Sequence, residues 1–443
     1  MKIHLLKFLI PLLSVMLLFT SCGEEETNTI FKKFPSDPFD DSYVHEIRIN
    51  TYNEDGIDSL FAYKKMRDSL EVTQYLPSRL ILDSFLLDST GIRFKGESSF
   101  QFTKNNKKSF KISLNRFNKG QAYGPVKNFN LNNCFKDPTF MREKLMLDLL
   151  RKQNLPAARS AYAKVWLNDQ YLGVYLLVEE IDKHFLDVNF TNHDGNLYLG
   201  EPQAYLEDLG ESKDEYLRKY KKKKNNAGED WSDLVNLIRT IHKKTKKKNS
   251  RRAAEELDTL LNTENMLKAW AINNMFVNPD AFNMLYPHNY LLYHEPTSNK
   301  FQWITYDYNL GFAAWNPKFT LEQVYTMDPL FIADPSTEQN FREKIFSNKK
   351  YEAFYKIYMS GLLKDEFSID QMGHTIDKWA KLIRTDVYAD SLKMFSNEDF
   401  EKNMTEHIGD PTDPGAFTPG LKAFLVKRRD FLIREMKKEN LFK

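Results

Sequence analysis

The sequence predicts an α+β protein with two lobes, in which an N-terminal antiparallel sheet with one main helix precedes a largely helical C-terminal lobe. Residues 43–114 hold short alternating or apolar segments between turn residues, a pattern typical of antiparallel strands. A capped helix and a hairpin follow, and the last third of the chain has apolar residues at helical spacing, notably over residues 421–436. The length of 443 residues allows two lobes.

Four segments of the N-terminal part have strand patterns, namely residues 44–50, 79–87, 91–95 and 109–115. The last segment alternates most clearly between apolar and polar side chains. Its apolar face carries Phe110, Ile112 and Leu114, and its polar face carries Ser109, Lys111 and Ser113. This alternation predicts a strand with one face against a core.

One helix is marked at both ends, because Asp137 can cap its start, Pro138 suits its first turn and Pro156 lies beyond its end. Residues 162–167 and 171–178 then form a predicted hairpin around a turn of polar residues. Strands, one helix and a hairpin before a largely helical second half is the order of elements in a two-lobe protein kinase.

The first 22 residues have the pattern of a bacterial lipoprotein signal, in which an apolar run over residues 8–19 ends in small residues directly before Cys22. A transmembrane anchor is the alternative, but the run is shorter than the roughly 20 apolar residues that span a bilayer. Acidic residues 24–26 resemble a sorting signal for the outer face of the cell. We therefore predict lipidation at Cys22, a linker over residues 23–42, and a location at the cell envelope, on the periplasmic or surface face of the outer membrane.

Composition limits the partners and the source of stability. Cys134 is the only cysteine after the signal, so no disulfide can form within the mature chain, and stability has to come from burial of its 42% hydrophobic residues. The formal net charge of +2 predicts no affinity of the whole chain for nucleic acid or for a membrane surface. Membrane attachment is expected only through the lipid at Cys22.

Residues 211–256 interrupt the pattern of elements with lysine-rich runs. Such runs can attract phosphate or anionic lipid, but acidic residues interleave them, which favours a solvated helical insertion on the surface. We place this basic insertion in a C-terminal lobe of residues 183–443, after an N-terminal lobe of residues 43–182.

The clearest chemical signal combines Asp280, His288-Asn289 and Asp307. In a phosphotransferase of the protein-kinase type, one carboxylate orients the acceptor, while a nearby Asn and a second Asp, placed after a two-strand ribbon, bind the metal on the phosphates. The order and spacing here predict Asp280 as the catalytic residue and Asn289 with Asp307 as Mg²⁺ ligands. Ordinary turn and cap chemistry is the alternative reading of the same residues.

Five segments, in order along the chain, resemble the CotH-type spore-coat protein kinases, a family of atypical kinases that are secreted or surface-associated. The segments are residues 93–99, 107–111, 141–142, 173–182, and 288–293 with 306–309. The resemblance covers roughly residues 43–440. It implies an atypical protein-kinase-like fold that binds ATP and Mg²⁺.

The resemblance also implies positions for residues that bind the nucleotide. Ser98 and Ser99 would belong to a loop over the phosphates, although they are not part of a glycine-rich motif. Lys108 would neutralise the phosphates, in preference to Lys107 or Lys111.

Glu143 would orient that lysine, or Arg142 would contact a phosphate directly. Glu180 follows the predicted hairpin, at the place of the hinge that contacts adenine through backbone groups. One departure concerns the metal, because the family carries a second acidic residue two places after the metal-binding Asp, whereas Asn309 stands there in this chain. Its neutral oxygen is a weaker ligand.

The sequence therefore predicts an envelope lipoprotein that transfers the γ-phosphoryl group of ATP, with Mg²⁺, to a hydroxyl of an unidentified protein acceptor. A catalytically weak or inactive kinase-fold protein for binding or assembly at the envelope is the alternative, because nucleotide is scarce outside the cell. A carbohydrate-active enzyme would need two carboxylates around a sugar site, and no such pair stands out.

Overall fold

Seven strands close into a β-barrel in the computed structural model of the protein. They are β1 His45–Thr51, β2 Leu76–Leu82, β3 Phe85–Phe94, β4 Phe110–Ser113, β5 Asn128–Asn132, β6 Ser160–Leu167 and β7 Gln170–Glu179. The order around the barrel is β1-β2-β3-β4-β5-β7-β6. A parallel pairing of β1 with β6 closes it, with His45 opposite Ala163.

The structure describes residues 37–201, 203–224, 228, 230–243, 251–331 and 341–442. The predicted lipoprotein signal, including the lipidation site Cys22, lies outside these residues. The predicted division of the chain into lobes of residues 43–182 and 183–443 stays a prediction.

The closed barrel shows that the predicted two-lobe protein-kinase-like fold was wrong. That prediction required an N-terminal sheet with two free edges, whereas β1 and β6 pair here and leave none in the barrel. The alternation within one strand identifies its buried face but carries no information about a partner more than a hundred residues away. Closure of the sheet therefore could not be deduced from the pattern of residues.

The barrel interior is filled by alternate side chains from its strands. Phe94 of β3 and Phe110 and Ile112 of β4 belong to this apolar core. Because neighbouring side chains of a strand point to opposite faces, Arg93 and Lys111 lie on the outer face. The core residues thus determine which polar side chains surround the barrel.

Three helices lie in the connections between barrel strands, namely α1 Gly56–Leu70, α2 Ser98–Phe102 and α3 Arg142–Lys152. The cap predicted for α3 is present in a modified form. The Asp137 carboxylate accepts the backbone N–H of Arg142 at 2.7 Å, although Asp137 lies five residues before that position. Its negative charge lies near the helix N-terminus, where it is stabilising.

A second sheet lies in the part of the chain that was predicted to be largely helical. Its strands are β8 Leu197–Gly200, β9 Tyr220–Lys224, β10 Tyr290–Glu295 and β11 Lys300–Thr305, in the order β11-β10-β8-β9. The predicted helical insertion over residues 211–256 therefore contributes an edge strand, β9, in addition to helices. This strand lies beside the candidate active site.

The remaining elements form a helical body with a two-residue strand pair. They are α4 Lys183–Asn189, α5 Lys213–Tyr216, α6 Ser232–His242, α7 Arg251–Leu260, α8 Thr263–Met275, α9 Leu321–Tyr325, α10 Phe341–Ser347, α11 Lys349–Lys364, α12 Ile369–Ala389, α13 Asn397–Thr405, β12 Ile408–Gly409, β13 Phe417–Thr418 and α14 Leu421–Lys438. Trp270 of α8 is fully buried in this body and packs edge-on against Trp303 of β11, at 5.8 Å between ring centroids. Across the described residues, every helix is too short or too polar to cross a membrane.

A buried ion pair joins the end of α12 to the barrel. Asp390 accepts from Lys107 Nζ at 2.5 Å and from the backbone N–H of Val174 at 3.0 Å, and both charged side chains are fully buried. Lys107, one of the less favoured candidates for phosphate binding, therefore has a structural partner.

Candidate active site

A cleft of about 170 Å³ is lined by the outer face of the barrel, α3 and the second sheet. Its lining residues are Arg93, Lys95, Lys111, Asn130, Asn132, Glu143, Leu147, Ala158, Val178, Glu179, Glu180, Ile181, Leu199, Lys223, Leu291, Tyr306 and Asp307. A larger and more open depression of about 880 Å³ lies among residues 208–256, but none of the predicted site residues lines it. We therefore treat the cleft as the candidate active site.

Strand register places a row of side chains along one wall of the cleft. Arg93 of β3 lies opposite Lys111 of β4, which lies opposite Asn130 of β5, which in turn lies opposite Val178 of β7. All four line the cleft, because all four have the same orientation in the pleat. The row changes from cationic to apolar across the wall.

Apolar side chains from the other elements also line the cleft. Leu199 of β8 and Leu291 of β10 are register partners in the second sheet, and Leu147 of α3 and Ile181 lie there too. These elements also bring charged groups into the cleft, such as Glu143 of α3. A cavity that combines apolar surface with polar groups is typical of sites for small ligands.

Two carboxylates of the cleft, Glu143 and Asp307, have raised pKa values. Burial and the charge of Asp307 raise the pKa of Glu143 to about 7, although Asn132 Nδ2 donates to its two oxygens at 3.0 and 2.9 Å. Burial also raises the pKa of Asp307, against the attraction of Lys95. Asp307 retains accessible surface, but protein atoms surround it closely enough to weaken its hydration. These two carboxylates form a site of concentrated negative charge.

The positive charge of Lys95 interacts with both of these carboxylates. Its ammonium group donates to Asn132 Oδ1 at 3.0 Å. Burial lowers the pKa of Lys95, and the charges of Asp307 and Glu143 oppose that shift. The alternation Arg93-Phe94-Lys95, with Phe94 in the barrel core, is the sequence signal that could have identified both cations as residues of the cleft.

Asp280 is held by the two residues that open β10. Asn289 Nδ2 donates to both the backbone carbonyl and Oδ2 of Asp280, at 2.9 Å each, and His288 Nε2 contacts Asp280 Oδ1. Burial alone would lower the pKa of His288, but the hydrogen bond and charge of Asp280 raise it above its usual range.

The β10–β11 hairpin brings Asn289 and Asp307 together. Tyr290 pairs with Thr305, and the backbone N–H of Tyr306 donates to the Asn289 carbonyl at 3.2 Å. Asn289 and Asp307 adopt left-handed φ angles of 59° and 60°, a conformation that Asn and Asp tolerate better than most residues. The structure thus brings together Asp280, Asn289 and Asp307, the three residues on which the strongest prediction depends.

Glu180 also faces the cleft, but through its side chain rather than the predicted backbone contact. Its carboxylate accepts from Asn130 Nδ2 at 2.8 Å and lies 2.5 Å from Lys111 Nζ and 3.0 Å from Lys223 Nζ. Burial would raise the pKa of Glu180, but the charges of Lys223 and Lys111 lower it overall. Glu180 is therefore an ionised partner of two lysines.

Lys108 and Arg142 have other partners and do not line the cleft. Lys108 Nζ donates to the carbonyl of Phe100 at 2.7 Å and to that of Thr103. Lys108 lies before β4, and its side chain does not point to the outer face of the barrel as that of Lys111 does. Lys111 is the lysine of β4 that reaches the cleft.

The guanidinium of Arg142 is fully buried. It pairs with Asp137 and donates to Asn403 Oδ1 at 2.8 Å and to the carbonyl of Pro419 at 2.7 Å. These contacts connect α3 to the C-terminal helical body, away from Glu143, its neighbour on the helix.

Three further residues of the sequence prediction do not line the cleft. Ser98 and Ser99 begin α2, two residues after Gly96, which has a left-handed φ of 81°. Asn309 donates its side-chain N–H to the carbonyl of Phe135 at 3.1 Å. The amide of Asn309 therefore fixes the loop after Asp307.

The oxygen donors around Asn289 fit a hard divalent cation. Within the described ranges no group of three or more His, Cys, Asp or Glu side chains converges as a metal site, so a metal would depend on the Asp307 carboxylate and the amide oxygen of Asn289. Both hydrogen bonds of the Asn289 side chain use Nδ2, which leaves Oδ1 for coordination. Such oxygen ligands suit Mg²⁺, and burial and the charge of Asp280, which raise the pKa of Asp307, favour a cation here.

The family model described as CotH kinase protein matches residues 92–410, well over half of the chain. The protein belongs to the CotH family. Inner spore coat protein H of Bacillus subtilis (strain 168) is 26% identical to it over 306 residues, which are 67% of this chain and 78% of that protein. The family resemblance predicted from five segments is confirmed. The matched range contains every cleft residue of this CotH-family protein.

Proposed function

We propose that this CotH-family protein transfers the γ-phosphoryl group of a nucleotide, ATP in the first instance, to a hydroxyl group of a protein acceptor. The observation that supports the proposal is the meeting of Asp280, Asn289 and Asp307 next to a cleft that is lined by both apolar and cationic side chains. Phosphoryl transfer depends on positioning and on charge stabilisation, and this arrangement supplies groups for both.

The cleft offers separate regions for the base and the phosphates. Leu147, Leu199 and Leu291 provide an apolar surface for a heterocyclic base, while Arg93 and Lys111 provide positive charge for phosphate oxygens. This division supports a nucleotide as the ligand.

Asn289 Oδ1 and the Asp307 carboxylate would hold Mg²⁺. A bound Mg²⁺ would offset negative charge on the phosphates. Asp280, oriented by Asn289 and His288, would accept a hydrogen bond from the acceptor hydroxyl and take up its proton. The contact with His288 Nε2 would keep the other carboxylate oxygen of Asp280 in place during the transfer.

A location at the cell envelope is also part of the proposal. The similarity to an inner spore coat protein supports association with an envelope structure. Attachment to the outer membrane through a lipid on Cys22 remains a prediction from the signal sequence.

The test uses purified wild-type protein with Mg²⁺ and γ-labelled ATP, with casein as a generic hydroxyl acceptor and autophosphorylation as a second readout. We expect label transfer by the wild type and its loss in Asp280→Asn. Asp413→Asn, the same substitution at an exposed position outside the cleft, is a suitable control variant. Nucleotide binding without any transfer would instead favour the alternative, a protein for binding or assembly at the envelope.

A further inference from the structure

Lys223, on the edge strand β9 of the basic insertion, reaches into the cleft. Its Nζ lies 3.0 Å from Glu180 Oε1 and 3.4 Å from the carbonyl of Ile181, and 31% of its side chain is exposed. The sequence pattern had favoured a solvated surface for this lysine run. Lys223 is instead the residue through which the insertion contacts the candidate active site.

The neighbouring lysine of β9 behaves differently. Lys222 points to the other face of the strand, where its Nζ donates to the carbonyls of Gly228 and Asp230 at 3.1 and 2.6 Å. It also lies over the Tyr198 ring, at 5.4 Å. Two adjacent lysines of one strand therefore have the same charge and different surroundings, which makes Lys222 a matched control for Lys223.

Positive charge exceeds negative charge where Lys223 enters the cleft. One carboxylate, that of Glu180, forms ion pairs with both Lys111 and Lys223. Arg93 lies beside Lys111 in the strand register, and its Nη1 donates to the carbonyl of Phe94 at 3.0 Å. Its positive charge adds to those of the two lysines, so this region is suited to an anion with several oxygens.

We infer that Lys223 binds the phosphate chain of the nucleotide directly, together with Lys111 and Arg93, so that the insertion completes the nucleotide site. This inference rests on the proposed function. Glu180 holds the two ammonium groups at the cleft wall, and phosphate oxygens replace part of its interaction when the nucleotide enters.

Binding measurements with ATP, ADP and adenosine test the inference without relying on activity. Lys223→Met should weaken ATP binding about tenfold and ADP binding less, because a charge-assisted contact to phosphate is lost. Adenosine has no phosphate, so its dissociation constant should not change. Lys223→Arg should retain ATP binding, and Lys222→Met should bind all three ligands as the wild type does.

A second background separates a direct contact from an effect through Glu180. In Glu180→Gln, the carboxylate that pairs with Lys223 is removed, and addition of Lys223→Met should still weaken ATP binding about tenfold. Loss of the Lys223→Met effect in this background would overturn the inference, because Lys223 would then act only by positioning Glu180.

Other results would also overturn it, namely unchanged ATP binding by Lys223→Met, an equal loss for adenosine, or an equal loss in Lys222→Met. If the wild type binds ATP and transfers phosphate, and Lys223→Met does the same, only this inference is wrong and the proposed function stands. A wild type that binds no nucleotide removes both the inference and the proposed function.

Discussion

Asp280 and Asp307 meet at the base of the β10–β11 hairpin, but their contacts differ. Asp307 lines the cleft, where the charge of Lys95 attracts it and its own charge raises the pKa of Glu143. Asp280 lies outside the lining and is held by His288 and Asn289. At the residue scale, this difference supports metal binding by Asp307 and acceptor positioning by Asp280.

The first prediction separates the two aspartates by substitution. Asp280→Asn should lower phosphoryl transfer about 100-fold or more and leave nucleotide affinity nearly unchanged, because it removes the proton acceptor. Asp307→Asn should weaken both transfer and Mg²⁺-dependent nucleotide binding. Calorimetric affinities and labelling rates for both variants provide the measurement. Equal loss of affinity in the two variants would show that the roles are wrongly assigned.

The second prediction concerns the pH dependence of stability. The pKa of Glu143 is about 7 in the folded protein, against 4.5 for the usual carboxyl. Between these values the folded state binds a proton that the unfolded state does not, so the free energy of unfolding falls as pH rises through this window. The shift in the pKa of Glu143 corresponds to roughly 3 kcal/mol of the free energy of unfolding. In the absence of metal, this contribution is present at low pH and is lost once the pH exceeds the folded-state pKa.

Urea unfolding at pH 5 and pH 8 without divalent cation measures this effect. Glu143→Gln should reduce the difference between the two pH values and raise stability at pH 8. Glu71→Gln, at an exposed position, should behave like the wild type. If Glu143→Gln keeps the wild-type slope, ionisation of Glu143 does not destabilise the folded protein.

At the scale of elements, the barrel depends on contacts that come from the far end of the chain. β7 passes close to the end of α12, where Gly173 has a left-handed φ of 99°. A Cβ at this position would lie 2.0 Å from the Asp390 carboxyl, which is paired with Lys107. Glycine is therefore required both for its conformation and for the space that the ion pair occupies.

The third prediction tests this contact with two glycines of similar conformation. Gly173→Ala should destabilise the protein by about 3 kcal/mol or more, because it combines backbone strain with displacement of a buried ion pair. Gly210 has φ 95°, but a Cβ added there would have no neighbouring atom within 4 Å, so Gly210→Ala should cost only about 1 kcal/mol. Urea unfolding of both variants gives the comparison. Similar losses would mean that the Asp390 contact contributes nothing.

For the whole molecule, a ligand in the cleft contacts the barrel, α3 and the second sheet together, because all three line the cleft. Its binding should therefore raise the free energy of unfolding of the whole protein. The fourth prediction is that ATP stabilises the protein much more in the presence of Mg²⁺ than in its absence. Ligand at about 100 times its dissociation constant should add roughly 2.7 kcal/mol. Thermal shift with ATP alone, Mg²⁺ alone and both measures this. A full shift in Asp307→Ala would exclude that residue as a metal ligand.

The fifth prediction concerns attachment of the mature protein to a membrane. The apolar run that ends at Cys22 predicts a lipid anchor there. Cys22→Ser should release the protein from the membrane fraction or block removal of the signal. Fractionation of cells that express each form provides the measurement. A variant that stays in the membrane fraction at the mature size would show that the anchor lies elsewhere.

The sequence by itself determined the features that depend on neighbouring residues. The alternation around Phe110 identified a buried strand face, and the family motifs identified CotH membership. Asp280, Asn289 and Asp307 were predicted together because one hairpin with a local register connects them. Because these residues are close along the chain, their spacing alone predicts that they lie close together in the structure.

Features that join distant segments could be established only from the folded chain. Closure of the barrel depends on β1 meeting β6, and the position of Lys111 in the cleft depends on which face of β4 the barrel core occupies. The position of Lys223 in the cleft depends on β9 lying beside Glu180. A lysine carries the same charge in every environment, so its sequence context does not reveal whether burial or solvent surrounds it, and only packing between distant strands sets that environment.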